Sequence, residues 1–199
     1  MIVKDLGLVD YVSTCSAMQD FTANRGSETV DELWLLEHYP VFSQGTNGLA
    51  EHLLDLGEIP LVQSDRGGQV TYHGPGQLIV YTLFDLRRLG LGVRDMVNRL
   101  ENSVITVLND QGIDAYSDAK APGVYIAGEK VASLGLRVKR GACYHGVSIN
   151  VDMDLSPFLS INPCGYQGMK MTDLKSLGSE ISMVEMKQHF VAALTAQIN

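Results

Sequence analysis

Nucleophilic catalysis needs a reactive atom, a group that manages its proton, and a place for developing charge. Cys164 is placed for the first role. It lies in SINPCGYQGM (160–169) between a proline and a glycine, neighbours that suit neither helix nor strand. Cys15 recurs with Tyr11 and Met18 on the apolar stripe of a helix, and Cys143 alternates with His145, Val147, Ile149 and Val151 along one strand face, so both read as core packing. Cys164 follows no such period. Pro163 fixes the approach of the chain, and Gly165 leaves its own N–H open as a donor to a thiolate or an oxyanion. A free thiol titrates near ~8.5, so at neutral pH it needs a base or a cation beside it to be a nucleophile. His73 and His145 have the right side chain. Lys130 is another candidate: in EKVASLGLRV it shares a strand face with Ala132, Leu134 and Leu136, and partial desolvation would let it exchange a proton near neutrality. Each has a plainer counterpart: a small buried hydrophobe at 164, a hydrogen-bonded structural histidine at 73, a lysine reaching water from a strand end at 130.

Elements of secondary structure must hold these residues. The densest stretch is DRGGQVTYHGPGQLIVYTLFDL (65–86), where QLIVYTLF is a buried strand. In RGGQVTYHGPGQ the glycines permit positive φ and close approach to the backbone, yet the Walker and dinucleotide glycine patterns are absent. Arg66, Thr71, Tyr72 and His73 stand among those glycines in place of ordinary turn residues; a hairpin with a wide turn is the plainer reading. Asp10 is expected to cap a helix reaching about Asn24. ELWLLEHYPVF (32–42) reads as a strand ended by Pro40, and 43–60 as a long polar loop. Val93, Met96, Val97, Leu100, Val104, Val107 and Leu108 trace a helical stripe over 93–111, stopped by Gly112. GVYIAG, EKVASLGLRV and CYHGVSINV read as three strands, the first two meeting at a tight turn at 127–128. A short helical turn is expected at 155–159. SMVEMKQHFVAALTAQI closes the sequence as a helix whose Ser182 and Glu185 have capping-box spacing. No repeat, low-complexity tract or linker interrupts residues 1–199, so the expectation is a single α/β (α+β) domain, a mixed β-sheet flanked by helices.

Composition narrows the function classes. With 45 % hydrophobic residues among 199, the chain can bury a core. A formal charge of −8 argues against a nucleic-acid partner, which requires a cationic surface. No run approaches the ~18 apolar residues of a membrane span, and MIVKDLGLVD breaks any secretory pattern with charges. Three widely spaced cysteines form no disulfide framework. The expectation is a reduced, cytoplasmic protein that does not engage a membrane.

Four segments taken together, RGGQVTYHGPGQLIVY, GEKVASLGLR, HGVSINV and INPCGYQGM, resemble in that order the motif blocks of the lipoyl(octanoyl) transferase family. The likeness runs from about residue 32 to residue 169, departs at no motif position, and is weakest in the outer helices. It implies a fold shared with biotin protein ligases and lipoate–protein ligases. It also implies acyl transfer through a thioester on Cys164, with Lys130 as its partner. The implied acyl pocket comprises Arg66, Gly67, Gly68, Gln69, Val70, Thr71, Tyr72 and His73, then Ser133, Leu134 and Gly135, then Gly146, Val147 and Ser148.

By the same resemblance the donor is octanoyl-acyl carrier protein, and the acceptor is a lysine on the lipoyl domains of 2-oxoacid dehydrogenase complexes or on the glycine cleavage H protein. Neither ATP nor a metal is expected, because the thioester already carries the activation. The Gly165 N–H and a backbone N–H of 71–73 are the expected oxyanion donors. Docking an acidic carrier on an acidic enzyme calls for a local basic patch, either Arg87 with Arg88 or Arg137 with Lys139 and Arg140. Three alternatives stay open: an ATP-dependent lipoate or biotin protein ligase of the same fold, which needs no cysteine nucleophile; a non-catalytic acyl-carrier-binding module; and a cysteine hydrolase, for which no convincing Cys–His–Asn set is present.

Overall fold

Consecutive residues of QLIVYTLF bury on opposite sides, and that alternation organises the molecule. Leu78 and Val80 join Leu33 and Leu35 in one apolar cluster, while Ile79 and Tyr81 join Trp34 and Leu36 in another. A strand covered on both faces reads as a continuous apolar run, as this one does.

The computed structural model describes residues 1–198. In chain order the elements are β1 (Ile2–Val9), α1 (Tyr11–Asn24), β2 (Glu32–His38), β3 (Val41–Gln44), β4 (Leu61–Gln63), β5 (Val70–His73), β6 (Gln77–Asp85), α2 (Leu86–Leu89), α3 (Val93–Asp110), β7 (Tyr116–Ser117), β8 (Gly123–Ile126), β9 (Glu129–Lys139), β10 (Ala142–Asn150) and α4 (Met183–Ile198). Seven strands form a mixed sheet in the order β1-β2-β6-β10-β9-β8-β7, and β4-β3-β5 form a second, small sheet. Only β1 with β2 is parallel in the large sheet. Helices α3 and α4 cover one face through Met96, Leu100, Val104, Met186, Phe190 and Leu194. Helix α1 covers part of the other through Met18.

The local signals act as their chemistry dictates. Asp10 accepts the Ser13 N–H at 2.8 Å, and Ser182 and Glu185 bond reciprocally at the start of α4; caps of this kind are worth about 1 kcal/mol. Ala127 and Gly128 both adopt positive φ, the geometry of a two-residue hairpin turn between β8 and β9.

Three segments differ from expectation. The strand over 32–42 breaks at Tyr39–Pro40 into β2 and β3, which enter different sheets, because proline cannot donate to a ladder and restricts the residue before it. Ser43 and Gln44 therefore belong to β3 and not to the following loop. The N-terminal segment is an edge strand, β1, whose exposed residues gave no alternation to read.

Candidate active site

Cys164 stands in a single 3₁₀ turn, Pro163–Gly165, with φ 57° and ψ 15°. Left-handed backbone at a non-glycine residue costs roughly 1–2 kcal/mol, and it persists where surrounding contacts enforce it. Here Asn162 N–H bonds His52 O at 2.9 Å, Tyr166 N–H bonds Pro163 O, and the Tyr166 hydroxyl bonds Lys120 O at 2.9 Å. The turn holds the half-buried thiol out from the chain.

Lys130 is the second residue of strand β9. It is 1 % exposed, although its type is among the least often buried. Its backbone is clamped on both sides: Tyr125 pairs with it across β8, where the register shifts, and the 170–172 segment bonds its N–H and C=O. The ammonium donates to Pro122 O at 2.8 Å and to Cys164 Sγ at 3.2 Å, and lies 5.4 Å from the Tyr125 ring centroid. Buried amine and thiol are thus in hydrogen-bond contact, the arrangement that lets a proton pass from sulfur to nitrogen.

Behind this pair runs a cavity of about 340 Å³. Strand pairing builds its floor: Ser133, Leu134 and Gly135 of β9 lie opposite Ser148, Val147 and Gly146 of β10. Gly67, Gly68, Gln69, Arg66, Thr71 and His73 supply a second wall, and Val93 and Val97 of α3 a third. Twelve of the fourteen residues expected from the sequence line this slot. Val70 and Tyr72 do not, because alternation along β5 turns them away into the cluster of Phe42, Phe158 and Ile161. Tyr11, Ile79, Tyr81, Leu136, His145 and Tyr166 line it too. They lie outside the glycine-rich blocks, and periodicity marked several of them only as core.

The polar wall is almost fully satisfied. Arg66, buried, donates from Nε to Ser43 Oγ at 3.1 Å and from its amino groups to Gln69 O and Gly67 O. Ser43 in turn bonds His73 Nε2, His73 Nδ1 bonds Gln77 Oε1 at 2.7 Å, and Gln77 bonds Asn150. Burial holds His73 well below the usual histidine range, so it is a neutral link in this chain and makes no contact with Cys164 of the kind a base would need. Two buried atoms in the slot lining lack partners: Thr71 Oγ1 and His145 Nδ1.

His145 departs from the strand pattern. Its φ of 60° turns the ring from the face of Cys143 and Val147, so it stacks on Tyr144 and meets Tyr81 edge-on. Its Nε2 lies 2.8 Å from Asp65 Oδ1, and the Tyr144 hydroxyl bonds the other carboxylate oxygen. The His145 hydrogen bond is the leading cause that holds Asp65 down to about 2. Burial nevertheless lowers His145 itself, so the pair is best described as a neutral imidazole donating to a carboxylate.

The other two cysteines are no competitors. Burial pushes the Cys15 thiol up to about 12 and raises Cys143 as well. The expected oxyanion donor at Gly165 is also corrected: that N–H is taken by Asn162 O at 3.0 Å, closing the turn that presents the sulfur. An N–H in the 71–73 segment does point outward. Phe42 N–H bonds Pro60 O, just before β4, so in the antiparallel pair Phe42–Tyr72 the Tyr72 N–H faces the open edge of β5. As for basic patches, Arg88 is tied to Asp31 at 2.7 Å, whereas Arg137, Lys139 and Arg140 are exposed at the β9–β10 turn.

Residues 10–195 match the family described as lipoyl protein ligase A/B catalytic domain. An octanoyltransferase of Chromobacterium violaceum is 58 % identical over 184 residues, 92 % of this chain and 89 % of that one. An octanoyltransferase of Pseudomonas savastanoi pv. phaseolicola is 55 % identical over 98 % of this chain and 90 % of its own. Among solved structures, the bi-partite lipoate protein ligase of Thermoplasma acidophilum superposes with a TM-score of 0.78 at 16 % identity, covering 99 % of this chain and 83 % of that one. Biotin protein ligase of Aquifex aeolicus gives 0.61 at 12 % identity over 100 % and 68 %. At such identities these two show the fold alone.

Proposed function

The chain belongs to the lipoyl protein ligase A/B catalytic domain family, and from that premise we propose that it transfers an octanoyl group through Cys164 to a lysine of lipoyl domains. Octanoyl transfer is the activity named for relatives 55–58 % identical over nearly the whole chain. The observation that carries the mechanism is the 3.2 Å contact between Lys130 Nζ and Cys164 Sγ at the slot.

In the first step the thiolate attacks the carbonyl of a thioester donor, octanoyl-acyl carrier protein. Negative charge develops on the carbonyl oxygen, and the Tyr72 N–H and Thr71 hydroxyl are the donors assigned to it. Collapse breaks the donor C–S bond, and Lys130 gives its proton to the departing thiolate. In the second step an acceptor lysine attacks the Cys164 thioester. Lys130 takes the amine proton and keeps it while Cys164 leaves as a thiolate and the amide forms, so the pair ends as it began, ammonium beside thiolate. The apolar side of the slot, with Leu134, Leu136, Val147 and Ile79, receives the alkyl chain. The donor thioester supplies the driving force, so no ATP, metal or other cofactor enters either step. The proposed partners are the acyl carrier protein and lipoyl domains, including the glycine cleavage H protein, and the proposed location is the cytoplasm; no described helix is long and apolar enough to cross a membrane.

The test is transfer of octanoyl from octanoyl-acyl carrier protein to a recombinant lipoyl domain with no nucleotide present. Acceptor modification supports the reading. Modification that occurs only with ATP and free octanoate would replace it with an adenylating ligase.

A further inference from the structure

One buried carboxylate near this site takes no part in the steps above. Glu101 lies on α3 two turns beyond Val93 and one beyond Val97, both of which line the slot, and it is 6 % exposed. An ionisable side chain on that face is costly to bury unless it acts on a partner. Its Oε1 accepts the Gly123 N–H at 2.8 Å. Gly123 is itself in contact with Lys130: a methyl group there would stand 2.3 Å from Lys130 Cε and 2.9 Å from Nζ. Carboxylate, one residue of backbone and the Lys130 side chain therefore follow one another in contact, and the same ammonium reaches the sulfur of Cys164 at 3.2 Å.

We propose that Glu101 is a positioning residue that stabilises the ammonium form of Lys130 and fixes the β8 segment against which it rests. The idea rests on the reading of Lys130 as the proton partner of Cys164. Titratable groups face Lys130 from three elements: Cys164 from the 163–165 turn, Tyr125 from β8, itself influenced by Asp118 and Tyr166, and Glu101 from α3. Placed on the nitrogen side of the pair, the Glu101 charge favours ammonium beside thiolate over the neutral amine and thiol. Burial raises Glu101, and the Gly123 N–H and the Lys130 charge oppose that rise.

The experiment uses iodoacetamide, with alkylation mapped to Cys164 by peptide mass spectrometry, and needs no acyl donor. In the wild type the rate should rise in two steps with pH: first as thiolate forms beside the ammonium, then as the ammonium loses its proton. Glu101→Gln keeps an acceptor for Gly123 and removes the charge. Both steps should move to lower pH, the upper by about one pH unit and the lower by clearly less. Glu101→Asp, which keeps the charge but withdraws it by one methylene, should fall between, and serves as the readout if the glutamine variant does not fold. An unchanged upper step, or two steps displaced equally, would overturn the assignment, as a purely structural role moves neither. Because no acyl group is involved, the outcome is independent of the transfer assay above.

Discussion

The Lys130 side chain lies so close against Gly123 of the neighbouring strand that the glycine has room for no side chain of its own. The glycine has φ 152°, and an added methyl would lie 2.3 Å from Lys130 Cε and 2.8 Å from Ala132 O. Gly123→Ala is therefore expected to displace the amine from Cys164. Strain of about 1–3 kcal/mol should lower the melting temperature modestly, while the transfer rate falls by about a hundredfold or more. Measuring both separates the effects: activity lost only in proportion to unfolded protein would contradict the placement.

Thr71→Val removes the unpartnered slot hydroxyl and keeps shape and strand preference. If that hydroxyl holds developing charge, kcat for octanoyl transfer should fall by about a hundredfold with KM little changed. A rise in KM alone would make Thr71 a lining residue and no more.

Buried neutral histidines make the fold acid-sensitive, and His38 is one whose share can be read by itself. His38 is fully buried, with Nδ1 bonded to Val9 O at 3.0 Å and Nε2 to the Tyr81 hydroxyl at 2.8 Å, and burial lowers it to about 4. Its folded value lies below the unfolded 6.5, so neutral His38 contributes stability in full above pH 6.5 and loses it as pH falls toward 4. The loss is on the order of 3 kcal/mol. Denaturant titrations of the wild type and His38→Gln between pH 7 and 4 should show a shallower decline in the variant; parallel curves would assign the sensitivity elsewhere.

Of the two basic clusters, Arg137, Lys139 and Arg140 are all exposed, whereas in the other Arg88 is committed to Asp31 and to the Ser27 and Thr29 carbonyls and leaves Arg87 alone for an acidic carrier. Reversing charge at Arg137 and Arg140 should raise KM for octanoyl-carrier protein several-fold at low salt, with less effect at high salt and little change in kcat. Unchanged KM at low salt would remove this patch from docking.

Much of this arrangement was legible before any coordinates. Lys130 and Cys164 stood out because each broke the pattern of its surroundings: a cation on an apolar strand face, and a thiol with no period at all. The β9–β10 half of the slot was implied by the resemblance of GEKVASLGLR and HGVSINV to the family's motif blocks, and the turn at 127–128 by its place between two strand-like runs. What stayed hidden depended on contacts far apart in sequence. Nothing in the sequence marked Glu101; the packing of α3 against Gly123 reveals what it faces. His145 fitted an alternating strand until a positive φ turned it over. Gly165 N–H looked free because a turn closing on Asn162 cannot be read from a dipeptide.

The central claim is a covalent octanoyl-enzyme on Cys164 formed with the help of Lys130, and intact-mass spectrometry after mixing with octanoyl-acyl carrier protein tests it most directly. The wild type is expected to gain one octanoyl group, labile to hydroxylamine and mapping to Cys164. Cys164→Ala should gain none, and Lys130→Ala should gain it at least about a hundredfold more slowly. Transfer to the lipoyl domain by Cys164→Ala, or an adduct on another residue, would contradict the account.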